Sequence, residues 1–278
     1  MNTYPLRMGR INYLNVLPIY HPLESGIIPH NFELISGPPA ILNDMMNQNQ
    51  LHVSSCSCFE YAKHPDKYYL VDDLAIGSNG PVMSVLLLSQ VSLEDLKNKT
   101  ILISGESHTS VALLRLLMNM YYKINVHFET GQITPRLYEK NKPIAFLAIG
   151  DEALRLRNHK DYAYKLDLAE AWRNWMNLPF IFGLWVVNKK TADDNLFDID
   201  PGKLLRQGRD WGMKHMDVIL DITRHGCPLS HDELLIYYTK GLLYKLQDEQ
   251  KKGLMCFYEK LAEVGIIEKI PTLQFFNS

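Results

Sequence analysis

The sequence lacks most of the signatures by which a function is usually read. No apolar run approaches the roughly 18 residues of a membrane-spanning helix, so no membrane partner is expected. Lys and Arg number 29 against 31 Asp and Glu, a formal net charge of −2. Without a basic excess to neutralise phosphates, nucleic acid is not an expected partner either. There are four cysteines. Cys56 and Cys58 form a C-x-C with no second Cys or His pair at zinc-ligand spacing, and Cys227 and Cys256 stand apart, so all four read as buried free thiols. The ten histidines are scattered and contain no H-E-x-x-H. No P-loop, nucleophile elbow or dinucleotide fingerprint is present, since Gly77-Ser78-Asn79-Gly80 lacks the strand-to-helix context. No period repeats, and no segment is of low complexity. The opening MNTYPLRMGRINYLNVLP contains no apolar stretch of signal-peptide length, and a cytoplasmic location is expected. A site without metal or cofactor is implied.

What is present is the composition of a globular protein, 46% apolar and 22% charged. At 278 residues the chain exceeds the size at which a single core usually stops growing, and two domains are expected. Residues 6–11 alternate and read as a strand, and Pro18 and Pro22 restrict the next helix to a short piece. Residues 32–36 (FELIS) form a second strand, and Pro38-Pro39 opens a helix to about Gln48. Strands are expected at 51–54, 68–70 and 82–88, the last long enough to cross between lobes. A helical turn at 59–62 lies between the first two of these.

Ser92 to Asp95 is a capping pattern, and a fresh β-α-β unit follows: strand 100–104, an amphipathic helix 109–122, and strands at 125–128 and 144–149. A helix at 167–175 and a strand at 180–187 return the chain to the first lobe. From Pro201 the pattern is helical, at 203–224, 231–247 and 250–263. The expected architecture is α/β, with residues 1–88 and 184–278 forming a first lobe with a helical tail and residues 89–183 an inserted second lobe.

Two polar breaks stand out, GRINYLNVLPIY at 9–20 and SGESHTSVALLRLL at 104–117. In open α/β sheets ligands bind where strands hand over to helices. The first turn of the helix after Ser104 presents unsatisfied N–H groups and the positive end of a helix dipole, and Ser107, Thr109 and Ser110 add hydroxyls suited to a carboxylate. A hydroxyl that merely caps the helix fits the spacing equally well. Asn12 and Asn15 follow the first strand, where an amide can meet a ligand or bond its own backbone. Ser54, Ser55 and Ser57, Ser84 within VMSVLLL, and Gly150-Asp151 after IAFLAI are further polar breaks. Trp172, Trp175 and Trp185 read as lobe packing.

Several segments in order, GRINYLNVLPIY, SGPPAILNDMM, VSSCSCFEYAKHPDKYYL, GPVMSVLLLS, SGESHTSVALLRLL, AFLAIGDEAL and LAEAWRNWMNLPFIFGLWVV, resemble the chorismate dehydratase family of the futalosine route to menaquinone. They span about residues 8–188. The resemblance implies a two-lobed type II periplasmic-binding-protein-like fold with a ligand cleft between the lobes and a helical C-terminal segment. It implies conversion of chorismate to 3-[(1-carboxyvinyl)oxy]benzoate with loss of water, by a hydro-lyase without cofactor. By similarity Asn15 in YLN is the catalytic amide and Ser84 contacts substrate. Ser55, Cys56 and Ser57, with Ser107, Thr109 and Ser110, supply binding loops from the two lobes, and Gly150 and Asp151 line the same cleft. Cys56 and Cys58 depart from the serine or small apolar residue expected in that loop.

Two other readings remain. The dihydroxynaphthoate synthase of the same pathway shares the fold but places a histidine base where Gly150-Asp151 stands here. A non-catalytic small-anion binding protein is the other. No oligomeric state is implied.

Overall fold

The computed structural model describes residues 5–105 and 107–276; Glu106, in the middle of the SGESHTS break, lies outside the described residues. The first stretch runs β1 (Arg7–Ile11), a 3-10 turn (Leu14–Val16), α1 (Leu17–Glu24), β2 (Glu33–Gly37), α2 (Pro39–Asn47), β3 (Val53–Ser57), α3 (Cys58–Lys63) and β4 (Tyr68–Ser78). Then come β5 (Val85–Ser89), β6 (Thr100–Ile103), α4 (His108–Leu116) with a π-helical turn (Leu117–Tyr121), β7 (His127–Thr130), α5 (Ile133–Arg136), β8 (Ala145–Ile149), α6 (Gly150–Leu156), β9 (Tyr164–Asp167) and α7 (Leu168–Met176). The chain closes with β10 (Phe180–Asn188), α8 (Lys189–Asp193), α9 (Pro201–Lys214), α10 (Met216–Thr223), α11 (His231–Ile236), a π-helical turn (Tyr237–Gly241) and α12 (Asp248–Glu263).

These strands make two five-stranded mixed sheets, β2-β1-β3-β10-β4 and β7-β6-β8-β5-β9. In the first, β1 runs parallel to β2 and β3 while β10 pairs antiparallel with β3 and β4. The second repeats the scheme, β6 parallel to β7 and β8, and β5 antiparallel to β8 and β9. The chain thus leaves the first sheet after β4, builds the second, and returns as β10 into the middle of the first. Each parallel trio ends its strands at one edge, where the helix starts collect.

Local chemistry explains the element ends. Pro18 sits in the first turn of α1, where its missing N–H costs nothing, and Pro22 keeps the helix to eight residues. Ser57 caps α3 by accepting from the Glu60 amide at 3.1 Å, and Asp167 caps α7 by accepting from Ala169 and Glu170. Trp172, fully buried, meets Phe180 and Phe257 edge-on at 5.3 and 6.1 Å and so fastens α7 and α12 to β10.

The structure departs from the sequence pattern in several places. Strand β3 starts at Val53 and carries Ser54, Ser55 and Cys56 within it, because buried small side chains fit a strand paired on both sides. Strand β4 extends to Ser78 across Asp72 and Asp73; Asp73 takes φ 51, and the register with β10 jumps from Ala75 to Leu70, so a bulge hosts the two acids. Residues 82–84 are not strand: they belong to the crossing before β5, with Met83 at φ 65 and its N–H held by Asp167 Oδ2 at 2.7 Å. Val85–Leu88 therefore pair in the second sheet and Phe180–Gly183 in the first, so each crossing falls a few residues before the expected position. Strand β9 was not expected. The helix over 203–224 breaks at His215 into α9 and α10. Residues 242–246 are extended rather than helical, with Leu243 bridged to Gly77 and Leu242, Tyr244 and Leu246 buried alternately, a period of two.

The helical tail lies on the first lobe through close approach of α9 to α1. Gly208 and Gly212, one turn apart, face the carbonyls of Ile19 and Pro18, and a Cβ at either position would overlap them. Gly212→Ala is expected to cost about 1–3 kcal/mol through overpacking, read as a lower urea midpoint. Gly226→Ala, with nothing within 4 Å of its added carbon, should stay within about 0.5 kcal/mol of the parent.

Candidate functional site

The strand ends, the crossing and the helix starts converge on one cleft between the two sheets. It is lined from the first lobe by Asn15, Ser55, Cys56 and Ser57, from the crossing by Ser84, and from the second lobe by Ser107, Thr109, Ser110 and Gly150. Side chains such as Ile76, Val82, Phe182 and Trp185 supply apolar walls. The non-atom space is about 770 Å³ with its open mouth included, the scale of a single small-molecule site. None of the described lining residues is Lys, Arg, His, Asp or Glu, so polarity comes from hydroxyls, an amide and backbone. Among the described residues no group of three or more His, Cys, Asp or Glu could hold a metal ion.

Asn15 is set in the 3-10 turn after β1, and its backbone is held on several sides. The Tyr238 hydroxyl donates to the Leu14 carbonyl at 3.0 Å and the Tyr244 hydroxyl to the Asn15 carbonyl at 2.9 Å. The Leu14 amide donates to Asp151 Oδ1 at 3.2 Å. Backbone groups at a short helix end need such partners, and here they come from the tail and the opposite lobe. The Asn15 side chain is left to the cleft: its Oδ1 is buried and takes no hydrogen bond from the protein. Such an atom is costly unless a ligand answers it.

The hydroxyls of the second lobe divide their tasks. Ser107 caps α4, accepting from the Ser110 amide at 3.4 Å, so the capping role foreseen for one of them falls to this residue while it also lines the cleft. Thr109 Oγ1 accepts from the Phe59 amide at 3.2 Å, a bond from α3 of the first lobe to α4 of the second. Ser84 Oγ reaches the Val82 carbonyl at 3.4 Å, and beside it stands Tyr237, whose phenol burial pushes well above its usual range.

Asp151 is brought to the site but does not line it. Its carboxylate turns to the Leu14 amide, and burial raises its pKa, opposed by that bond and then by Arg155 and Arg10. Asn12 is exposed and accepts from Arg10 at 3.2 Å, outside the cleft. Ser54 is fully buried and bonds the Ser55 carbonyl. Trp185, expected as packing, is a cleft wall as well; its Nε1 donates to the Tyr20 hydroxyl at 2.9 Å. Tyr13, against whose ring Gly150 lies, also lines the cleft; its place in YLN, two residues before Asn15, was the signal available for it.

A family model described as menaquinone biosynthesis matches residues 6–263. A chorismate dehydratase of Thermus thermophilus is 26% identical over 279 residues, covering 92% of this chain and 95% of that protein. One of Campylobacter jejuni is 28% identical over 188 residues, 66% of this chain and 68% of that protein. Among solved structures, a Candida albicans protein described as having the generic periplasmic binding protein fold superposes with a TM-score of 0.70 at 10% identity, covering 99% of this chain and 98% of that one. That likeness gives the fold, two α/β lobes around a cleft, as the sheets already indicate.

Neither Cys56 in the cleft nor Cys58 behind it is set up as a nucleophile. Burial lifts Cys56 well above the ordinary thiol range and Cys58 to about 12, so both are neutral at physiological pH. Cys58 Sγ is engaged with the Ile181 carbonyl at 3.0 Å and does not line the cleft, whereas Cys56 does. Iodoacetamide at pH 7.5 is expected to label only Cys227 and Cys256 in the native protein, as mapped by mass spectrometry of peptides. Rapid labelling of Cys56 would contradict this account of its environment.

Proposed function

The chain belongs to the menaquinone-biosynthesis family, and on that footing we propose that it is a chorismate dehydratase, a hydro-lyase that forms 3-[(1-carboxyvinyl)oxy]benzoate. The observation that carries the reading is a cleft whose described lining holds no Lys, Arg, His, Asp or Glu and includes Asn15, whose Oδ1 has no partner within the protein. Few reactions can be catalysed by such a lining, and the loss of water from chorismate is one of them. The ring hydrogen on the ether-bearing carbon is acidified through the diene conjugated with the ring carboxylate. As that C–H bond breaks, its electron pair completes the aromatic ring and the neighbouring C–O bond releases hydroxide, which leaves as water with a proton.

The protein's part is then to hold the substrate and assist departure of the hydroxyl. Asn15 can accept through Oδ1 and donate through Nδ2, and we assign it to the leaving hydroxyl or an adjacent carboxylate. Ser84, Ser55 and Ser57, with Ser107, Thr109 and Ser110, are assigned to orienting the two carboxylates from both lobes, and Cys56 and Gly150 to the walls. Asp151, outside the lining and bonded to the Leu14 amide, is assigned to positioning rather than to substrate contact. The substrate's own enolpyruvyl carboxylate is the proposed proton acceptor, supported by the lack of a Lys, His, Asp or Glu among the described lining residues. The lobes in this reading follow the two sheets. No described helix is long and apolar enough to cross a membrane, and a cytoplasmic location accompanies the biosynthetic role.

Purified protein should convert chorismate to an aromatic product, followed by ultraviolet absorbance. Folded protein that leaves chorismate unchanged would overturn the assignment, and turnover of cyclic dehypoxanthine futalosine instead would favour the sister enzyme. Asn15→Ala should lower kcat by about 10²–10³, the scale for removing one transition-state hydrogen bond, while KM moves far less. Loss confined to KM would make Asn15 a binding residue only.

A further inference from the structure

We propose that Asp151 is a positioning residue that ties closure of the second lobe onto the first to the placement of the Asn15 turn. The proposal rests on the dehydratase reading of the cleft. Asp151 lies in the first turn of α6, in the second lobe, and its Oδ1 accepts the backbone N–H of Leu14, the residue before Asn15, at 3.2 Å. The neighbouring Gly150 takes φ 54, donates its own N–H to the Ser84 carbonyl at 2.7 Å, and comes so close to the Tyr13 ring that a Cβ would stand 3.2 Å from it. One two-residue junction of the second lobe therefore touches Tyr13 and Leu14, which precede Asn15, and Ser84, which is assigned to orienting the substrate.

The other supports of the turn are of a different kind. Tyr238 and Tyr244 reach Leu14 and Asn15 from the tail, whose α9 is packed on α1 of the first lobe while Glu233 of α11 also pairs with Arg157 of the second. The Asp151 bond joins the second lobe directly to the turn, so separating the lobes breaks it, whereas the tyrosine bonds run from a tail anchored on α1. A turn released on one side can shift Asn15 by a fraction of an ångström, and displacement of about 1 Å can cost on the order of 100-fold in rate. Asp151 thus makes the amide fully placed only when the cleft is shut. The carboxylate does not line the cleft, and the oxygen it offers is already occupied by the backbone, which separates this role from that of an acid or base.

The test compares Asp151→Ala with Asp151→Asn, whose amide oxygen can still accept from Leu14. D151A should lower kcat for chorismate by about 10–100-fold with KM changed less than about threefold, and D151N should stay within about threefold of the parent. In the unliganded protein, hydrogen exchange at the Leu14 amide should quicken in D151A and remain slow in D151N. If folded D151N loses about 10-fold or more in kcat relative to the parent, the carboxylate acts as acid or base and the latch is overturned; that outcome remains decisive even where D151A fails to fold. Unchanged exchange at Leu14 in a folded D151A would also overturn it. Should the parent enzyme leave chorismate untouched, the dehydratase reading falls, and Leu14 exchange still decides the latch.

Discussion

Two backbone N–H groups on the first lobe, those of Leu14 and Phe59, find their acceptors on the second, at Asp151 and Thr109, and the shape of the cleft follows from that exchange. Both donors lie in the first turn of a short helical segment, where an amide has no partner within its own helix. Both acceptors are side chains in the first turn of a helix that follows a strand of the other sheet. The strand-to-helix edges of the two sheets are thereby drawn face to face, with one bond beside Asn15 and the other beside Ser57. A hydrogen bond of this kind contributes only about 1 kcal/mol net, so two of them can favour the closed arrangement without making it permanent.

The helical tail supplies the rigidity those two bonds lack. Gly208 and Gly212 let α9 approach the carbonyls of α1, the extended piece at Leu243 adds to β4, and Tyr238 and Tyr244 end on the carbonyls of Leu14 and Asn15. The first lobe therefore carries a turn already fixed from behind before the second lobe arrives. Trp185 and Tyr20 extend the same support, since Trp185 Nε1 donates to Tyr20, which in turn donates to the Gly9 carbonyl of β1 at 2.8 Å.

Much of this architecture is legible in the sequence because its punctuation is local. Pro18, Pro22 and Pro39 mark helix starts and lengths, Ser57 and Asp167 are caps whose partners lie within three residues, and the small polar residues at 54–57, 84 and 107–110 flag strand ends that reach the cleft. What escaped reading depends on partners far along the chain. The bulge of β4 is tolerated only because β10 pairs across it. The extended run at 242–246 has a strand's alternation, but its bridging partner Gly77 is far away in sequence. Asp151 reads as a ligand contact because a polar residue after a strand usually faces the cleft, and the backbone amide its Oδ1 accepts from lies 137 residues away.

The lack of a Lys or Arg among the described lining residues suits the proposed chemistry. An Arg or Lys against the enolpyruvyl carboxylate would hold it firmly, yet an opposite charge at that distance lowers a carboxylate's pKa by about 1–3 units. Each unit would weaken it as the acceptor of the ring proton, by an amount set by Brønsted behaviour. In the proposed reading, serine and threonine hydroxyls and the N–H groups at the start of α4 would orient the same group while costing it less basicity. On this reading the lining trades binding strength for reactivity, and the inter-lobe bonds of Asp151 and Thr109 would recover part of the hold by closing around the substrate rather than by pairing with its charge.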